Sequence, residues 1–234
     1  MLRAILFAFH GALVDDRRLR LAALLRVLAE EGLALPAEAC AAAAASDEPG
    51  PLAALLVAAG QKAEPLRLLR LSTRRASYYR EAVLSQGYPP VAGAAELVQA
   101  LASAGLTLGV VAEAAHQEVQ ESLQRMGLGG RFKVLVSADE VKAGKPDPEG
   151  YQLALQSLNS IPPLPDRLIH PHEVLAVEGS AAGGEAAQAA GLITLGVTGG
   201  VAIPLLDNAD LTVETLAGLS ADDLQKLYRQ LSRL

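Results

Sequence analysis

The chain has 234 residues, of which 51% are hydrophobic and 3% aromatic, and its formal net charge is −6 at neutral pH. This length fits one large domain, or one domain with a smaller insert, and a core packed from Leu, Ala and Val. The acidic balance, with no long block of like charge, excludes general nucleic-acid binding. Because Cys40 is the single cysteine and no apolar run suits a signal peptide or a membrane span, we expect a soluble, cytoplasmic protein that does not contact membranes.

The chain begins with an apolar run, Ile5 to Phe9, that predicts a short buried strand. Gly11 ends this strand, and Leu13 and Val14 lead away from it. Asp15 and Asp16 follow and are predicted to cap the next helix.

Residues 16–85 have helical periodicity and no good strand. Leucines recur between positions 19 and 28, an alanine-rich helix surrounds the tract Ala41 to Ala45, and a third helix runs from Leu66 to Val83, with breaks at Pro49-Gly50-Pro51 and at Gly60. This predicts a helical insert. Its Arg67, Arg70, Arg74, Arg75 and Arg80 predict a solvated helix face, and the alternative is a docking face for an anionic partner.

The rest of the chain alternates between strand and helix patterns. Strands are predicted at 106–112, 133–137, 175–177 and 192–197, and helices at 96–104, 117–126, 147–158 and 184–190. Gly105 is a plausible helix C-cap, and Asp147 is expected in the first turn of its helix. Repeated strand–helix units predict an α/β fold, a parallel sheet covered by helices on both faces.

The segment from Asn159 to Glu173 is a long connection rich in proline. Its grouping of His170, His172 and Glu173 has two interpretations. The first is a surface loop whose path is set by the prolines, and the second is a metal site. Adjacent ligands alone rarely complete a metal site, so the loop is the prediction. His116 either lines a pocket or begins a helix.

Five segments, taken together and in order, resemble the motifs of the haloacid dehalogenase (HAD) superfamily. They are Ala8-Phe-His-Gly-Ala12, Tyr88 to Val98, Val110-Val-Ala-Glu113, Gly144 to Tyr151, and Val177-Glu-Gly-Ser180. The size and position of the insert are similar to those of the beta-phosphoglucomutase and phosphoglycolate phosphatase branch. The resemblance implies a Rossmann-like core at 1–15 and 86–234 with a helical cap at 16–85. It also implies ligand access at the carboxyl ends of the strands, between core and cap.

The same resemblance implies what each motif position does in the family. The first motif supplies a nucleophilic Asp that also binds Mg²⁺, and a second Asp that acts as acid and base. The second motif supplies a hydroxyl for the phosphate, and the fourth supplies a metal-binding Asp. In this sequence the four positions hold Ala8, His10, Ala112 and Gly179. A methyl group can neither attack phosphorus nor bind a cation, so the resemblance implies catalytic positions that are degenerate.

A smaller set of polar residues remains at the motif positions. Lys145 matches the family's lysine, Glu178 and Ser180 remain in the fourth motif, and Glu113 stands where asparagine is usual. Together with His10 these are the candidate ligand-binding residues, and their expected ligand is phosphate or a small anionic metabolite. If Lys145 is buried, it needs Glu178, Glu113 or a bound anion to compensate its charge.

We therefore predict a catalytically degenerate HAD-like protein, a pseudo-phosphatase that acts by ligand or protein binding and needs no cofactor. The alternative is a HAD-like hydrolase with a non-standard active site that uses His10 or Glu178, for which Mg²⁺ is expected. A third hypothesis is a scaffold with a vestigial pocket, whose cap binds a protein partner.

Overall fold

The computed structural model describes residues 1–44, 49–199 and 209–231. The chain divides into two compact units, one formed by Met1–Asp15 with Pro90–Leu234 and the other by Asp16–Pro89. The second unit extends past Ser85 because its last helix continues to Gln86.

The first unit is built on a parallel sheet of six strands. They are β1 (Ala4–Ala8), β2 (Thr107–Val111), β3 (Val134–Val136), β4 (Val174–Glu178), β5 (Ile193–Val197) and β6 (Leu211–Val213), in the order β3-β2-β1-β4-β5-β6. Every residue of β1 and β4 is buried, as expected for central strands covered on both faces. The predicted α/β class is confirmed, and the short edge strand β6 was not predicted.

Helices α1 (Arg17–Glu30), α2 (Ala37–Ala44), α3 (Pro49–Ala58) and α4 (Pro65–Gln86) form the second unit. No strand occurs in its described residues, 16–44 and 49–89. Buried leucines fill its core, among them Leu24, Leu28, Leu52, Leu56 and Leu71. The predicted break at 49–51 is instead the first turn of α3, where proline is tolerated because the N–H groups there have no helical acceptor. Ala45 of the alanine tract lies outside the described residues.

Asp16 stands at the N-cap position of α1 but does not cap the helix with its side chain. Its Oδ2 atom instead accepts hydrogen bonds from Arg20 Nε (2.6 Å) and from the hydroxyl of Tyr79 (2.7 Å). Burial, together with the Asp16 charge, raises the pKa of Tyr79 above its ordinary value. The predicted cap was wrong because a tertiary partner on α4 competes for the carboxylate.

Two of the five arginines predicted to form a solvated face, Arg67 and Arg74, are tied to α1, and a third, Arg75, is buried, so the prediction was wrong there. Arg67 Nη2 lies 3.3 Å from Glu31 Oε2, and Arg74 Nη1 lies 2.7 Å from Glu31 Oε1. Arg70 is exposed. Because the first two charges are neutralised within the unit, they favour packing of α4 on α1 over recognition of an anionic partner.

The remaining helices belong to the first unit. They are α5 (Ala94–Ser103), α6 (His116–Arg125), α7 (Glu149–Ser160), α8 (Ala181–Ala189) and α9 (Ala221–Leu231). Of these, α5, α7 and α8 pack on the sheet. Asp147 was predicted in the first turn of α7, but it precedes that helix. Its side chain accepts a hydrogen bond from the backbone N–H of Glu149 at 2.9 Å. Within the three described ranges, no helix is both long and apolar enough to cross a membrane.

The long connection after α7 is tied down by its own polar groups. Asn159 bonds the backbone of Ile169 through both its amide nitrogen (3.0 Å) and its oxygen (2.8 Å). Arg167 holds the Glu173 carboxylate at 2.5 Å and lowers its pKa to about 2. The rings of His170 and His172 stack 5.6 Å apart. Among the described residues, no group of three or more His, Cys, Asp or Glu side chains is placed to hold a metal ion, so the surface-loop prediction is preferred.

Candidate functional site

The first motif occupies the end of β1 and the turn that follows. Ala8 is fully buried, and Phe9 continues the sheet by donating its N–H to the Val111 carbonyl at 3.0 Å. Gly11 then adopts a φ of +85° and bonds Val14 at 2.8 Å. Only glycine takes this left-handed conformation readily, so it closes the turn that directs the chain away from the sheet.

His10 lies in this turn, half-buried, and pairs as a bridge residue with Val14. Its ring packs against Phe9 in an edge-to-face arrangement, with centroids 4.9 Å apart. The Nε2 atom is shielded from solvent. Ring packing against Phe9 therefore helps to hold the imidazole in place.

The second motif ends β2 with a buried Ala112, whose N–H donates to the Val136 carbonyl at 2.8 Å. Glu113 is exposed, and its Oε1 accepts the backbone N–H of Lys145 at 3.2 Å. Glu113 thus holds the loop that carries Lys145 through the backbone, whereas the ammonium group of that lysine bonds to Glu178. The role of Glu113 here is to position the backbone.

Lys145 and Glu178 form a buried ion pair below this loop. The Nζ atom of Lys145 lies 2.6 Å from Glu178 Oε1, and the side chains are 9% and 0% exposed. The hydroxyl of Tyr151, on α7, donates to the same Oε1 at 2.5 Å. Burial, the main cause, and the charge of Glu178, the second, raise the pKa of Tyr151 well above its ordinary value. The phenol therefore stays protonated and acts as a donor. We call Lys145, Glu178 and Tyr151 the Lys–Glu–Tyr cluster.

The other oxygen of Glu178 faces the start of α8. Oε2 accepts the N–H of Gly179 at 3.1 Å and lies 3.4 Å from Ser180 Oγ. Ser180 is the N-cap of α8, because its Oγ accepts the N–H of Gly183 at 3.1 Å. The positive end of a helix stabilises a nearby carboxylate. Glu178 is therefore compensated on both sides, by an ammonium group and by a helix N-terminus.

A cavity next to the cluster is small. Its volume is about 20 Å³, and its lining includes Val111, Ala112, Val136, Lys145 and Tyr151. A space of this size holds about one water molecule.

The family's Mg²⁺ does not fit the residues present here. Such a site needs several convergent oxygen ligands, whereas Ala8 offers a methyl group and Gly179 offers no side chain. A Cβ atom added at Gly179 would lie 2.5 Å from Cα of Gly11, which is too close for any side chain at the present backbone position. The remaining carboxylate, Glu178, is already bonded by Lys145 and Tyr151.

Four of the five candidate residues are connected by contacts in the structure. Lys145, Glu178 and Ser180 share hydrogen bonds around one carboxylate, and Glu113 joins them through the Lys145 backbone. His10 lies in the β1 turn, where it pairs with Val14 as a bridge residue. Sequence reasoning missed Tyr151. Its position six residues after Lys145, at the start of a predicted helix, was the available signal.

Gly183 was also missed, because it lies one residue before the helix predicted at 184–190, whereas α8 begins at Ala181. A Cβ atom there would overlap the Glu178 carboxylate. The glycine therefore provides the space in which the carboxylate sits.

The chain is similar in sequence to phosphatases and in structure to a beta-phosphoglucomutase. Validoxylamine A 7′-phosphate phosphatase of Streptomyces hygroscopicus subsp. limoneus is 33% identical over 126 residues, which is 54% of this chain and only 55% of the relative. N-acetylmuramic acid 6-phosphate phosphatase of Pseudomonas putida is 32% identical over 162 residues, or 69% of this chain and 71% of the relative. The crystal structure of a beta-phosphoglucomutase from Clostridium difficile aligns over 100% of both chains, with a TM-score of 0.73 and 19% identity.

The family model for haloacid dehalogenase-like hydrolases matches residues 5–197. This range begins in β1, includes the helical insert, and ends with β5. It contains all five motif segments on which the resemblance was based. The chain belongs to the haloacid dehalogenase-like hydrolase family.

Proposed function

We propose that this protein is a catalytically degenerate member of its family, which acts by binding and does not hydrolyse phosphate esters. The observation that carries the proposal is the combination at the ends of β1 and β4. The nucleophile position is the buried methyl of Ala8, and the family lysine, Lys145, is bonded to Glu178. The nucleophile that would attack a phosphoryl group is therefore absent, and the lysine that would neutralise the phosphoryl charge is already paired with a carboxylate.

Phosphoryl transfer to an enzyme needs a nucleophilic oxygen and positive charge on the phosphoryl oxygens. Loss of one member of a cooperative catalytic unit lowers the rate by factors of about 10⁴ to 10⁶. Here the four substituted positions are Ala8, His10, Ala112 and Gly179. The rate lost is comparable to the whole enhancement of a modest enzyme. We accordingly propose that the protein uses no cofactor.

Two kinds of binding partner follow from the sequence, and the geometry favours one. The relatives named above are phosphatases of phosphorylated compounds, which supports a phosphorylated ligand. Against this, an anion at Lys145 would have to compete with a carboxylate that already lies 2.6 Å from the ammonium group. We therefore favour a protein partner over phosphate. The reducing cytoplasm, where the buried thiol of Cys40 stays unpaired, is the compartment that we propose.

The helical insert offers a surface for such a partner. Leu66 and Leu69 on α4 are 60% and 63% exposed, and Arg70 beside them is exposed too. Arginine is enriched in protein interfaces, and the buried centre of an interface is more apolar than the rest of a protein surface.

A hydrolase with a non-standard site is the second candidate, and the names of the relatives favour it. His10 can exchange protons near neutral pH, and Glu178 is a carboxylate at the end of a central strand. Either would have to replace the missing nucleophile. Glu178 could do so only after giving up its bonds to Lys145 and Tyr151.

A turnover assay separates the two candidates. We expect the wild-type protein to release phosphate from p-nitrophenyl phosphate, glucose 1-phosphate, glucose 6-phosphate and phosphoglycolate no faster than buffer, with Mg²⁺ or Mn²⁺ present. The limit to reach is a kcat of about 10⁻³ s⁻¹, some 10⁴-fold below a typical enzyme. His10→Ala, Lys145→Ala and Glu178→Gln proteins are the controls. Turnover that disappears in any of these variants would refute the proposal, whereas turnover unchanged in all three identifies a contaminating phosphatase.

A further inference from the structure

The turn after β1 and the loop after β4 touch through two glycines. A Cβ atom added to Gly179 would lie 2.5 Å from both Cα and the carbonyl carbon of Gly11. In the other direction, a Cβ atom added to Gly11 would lie 2.8 Å from Cα of Gly179. Real Cβ atoms essentially never come this close to backbone atoms. The contact is therefore between two main chains, which cannot yield by rotating a side chain.

We infer that this Gly11–Gly179 backbone contact has closed the position from which the family's fourth-motif Asp projects, so that acidic side chains put back into the motifs do not restore a metal site. The inference rests on the proposed function and deepens it. The loss is a property of the main chain, in addition to the loss of individual side chains. An Asp at position 179 would have to push the two loops apart before its carboxylate could reach a cation.

The remaining acidic residue of the fourth motif is held by a second close approach. The Glu178 carboxylate occupies the space that a Cβ atom of Gly183 would fill. Its oxygens are bonded by Lys145, Tyr151 and the Gly179 N–H. To bind a metal, Glu178 would have to leave this buried position, and Lys145 would then lose its counter-charge. Both main-chain and side-chain packing at the end of β4 thus oppose a metal ion.

Alanine substitutions at two nearby glycines test the contact itself. Gly179→Ala is expected to lower the melting temperature by about 4 °C or more, because one added methyl group must separate two backbones. Gly184→Ala is the matched control. It lies in α8, where an added Cβ atom meets nothing within 4 Å, and alanine favours a helix over glycine. Its melting temperature should equal or exceed that of the wild type. Equal melting temperatures for Gly179→Ala and the wild type would overturn the inference.

A restored acidic set tests the consequence for metal binding. The variant combining Ala8→Asp, His10→Asp and Gly179→Asp is titrated with Mn²⁺ alone, followed by calorimetry and by the electron paramagnetic resonance of free Mn²⁺. We expect no saturable binding. One Mn²⁺ bound per folded chain would contradict the inference. If the triple variant fails to fold while the pair Ala8→Asp with His10→Asp folds, the inference is supported, because the difference is the residue at 179.

The two proposals fail in different ways. Phosphate release by the wild-type protein would refute the proposed function and leave the melting temperature of Gly179→Ala unaffected. A tolerated Gly179→Ala would refute the closed contact while the wild type remained inactive.

Discussion

Removing the carboxylate of Glu178 is expected to lower the free energy of unfolding by about 3–5 kcal/mol, the cost of leaving a buried charge without its partner. The side chain is 0% exposed, and its Oε1 accepts bonds from both Lys145 Nζ and the Tyr151 hydroxyl. In Glu178→Gln the shape is kept, but an ammonium group that is 9% exposed loses its counter-charge. Urea unfolding of the wild type and the variant measures the difference.

A double-mutant cycle shows whether the loss of stability in Glu178→Gln comes from its ion pair with Lys145. Lys145→Met should also destabilise, because it leaves the Glu178 carboxylate buried and uncompensated. The double variant, Lys145→Met with Glu178→Gln, removes both charges and should be more stable than the sum of the single effects predicts, by about 1.5 kcal/mol or more. If the single effects add to within about 0.5 kcal/mol, the two side chains are not coupled and the Lys–Glu–Tyr cluster is not a unit.

Replacing Tyr151 is expected to have the second large effect. The residue is fully buried in the core that α7 forms with the sheet, together with Leu6, Val136 and Ala176. Tyr151→Ala should cost about 3–5 kcal/mol through the cavity that it leaves. Tyr151→Phe keeps the ring and removes only the hydroxyl. It should still cost about 1–3 kcal/mol, because Oε1 of a buried carboxylate loses a donor.

Tyr228→Phe is the control for this comparison. That hydroxyl donates to the neutral backbone carbonyl of His172 at 2.8 Å, so its loss should cost about 1 kcal/mol. The difference between the two Tyr→Phe variants reports the added value of a bond to a charged group. Equal losses would mean that Glu178 does not depend on Tyr151.

The α/β architecture could be predicted from the sequence because buried parallel strands appear as short apolar runs. The runs that include β1, β2, β4 and β5 were long enough to recognise. β6 was missed because it has three residues and none of them is buried. The predicted helix cap at Asp16 and the predicted first-turn position of Asp147 were wrong. Side-chain partners and helix starts depend on residues distant in sequence, which a local sequence pattern does not include.

The candidate site could be located from motif positions, but its bonding could not. From the sequence we predicted that a buried Lys145 needs a compensating charge from Glu178, Glu113 or a bound anion. In the structure the Glu178 carboxylate accepts a hydrogen bond from the Lys145 ammonium group, whereas the Glu113 carboxylate accepts one from the Lys145 backbone N–H. Which carboxylate reaches the lysine depends on the register of β2 and β4 and on the path of the loop. The Gly11–Gly179 contact joins residues far apart in the chain, so no local pattern indicates it.

Titration calorimetry of the wild-type protein tests most directly the central claim that Glu178 neutralises Lys145 and that the site takes no phosphorylated ligand. Inorganic phosphate and glucose 6-phosphate are titrated, each with and without Mg²⁺, and Lys145→Met is run in parallel. If the site is degenerate and Lys145 is neutralised by Glu178, neither ligand produces a saturable heat, and the wild type and the variant give the same trace. Saturable binding of about one ligand per chain, present in the wild type and absent in Lys145→Met, would contradict the account.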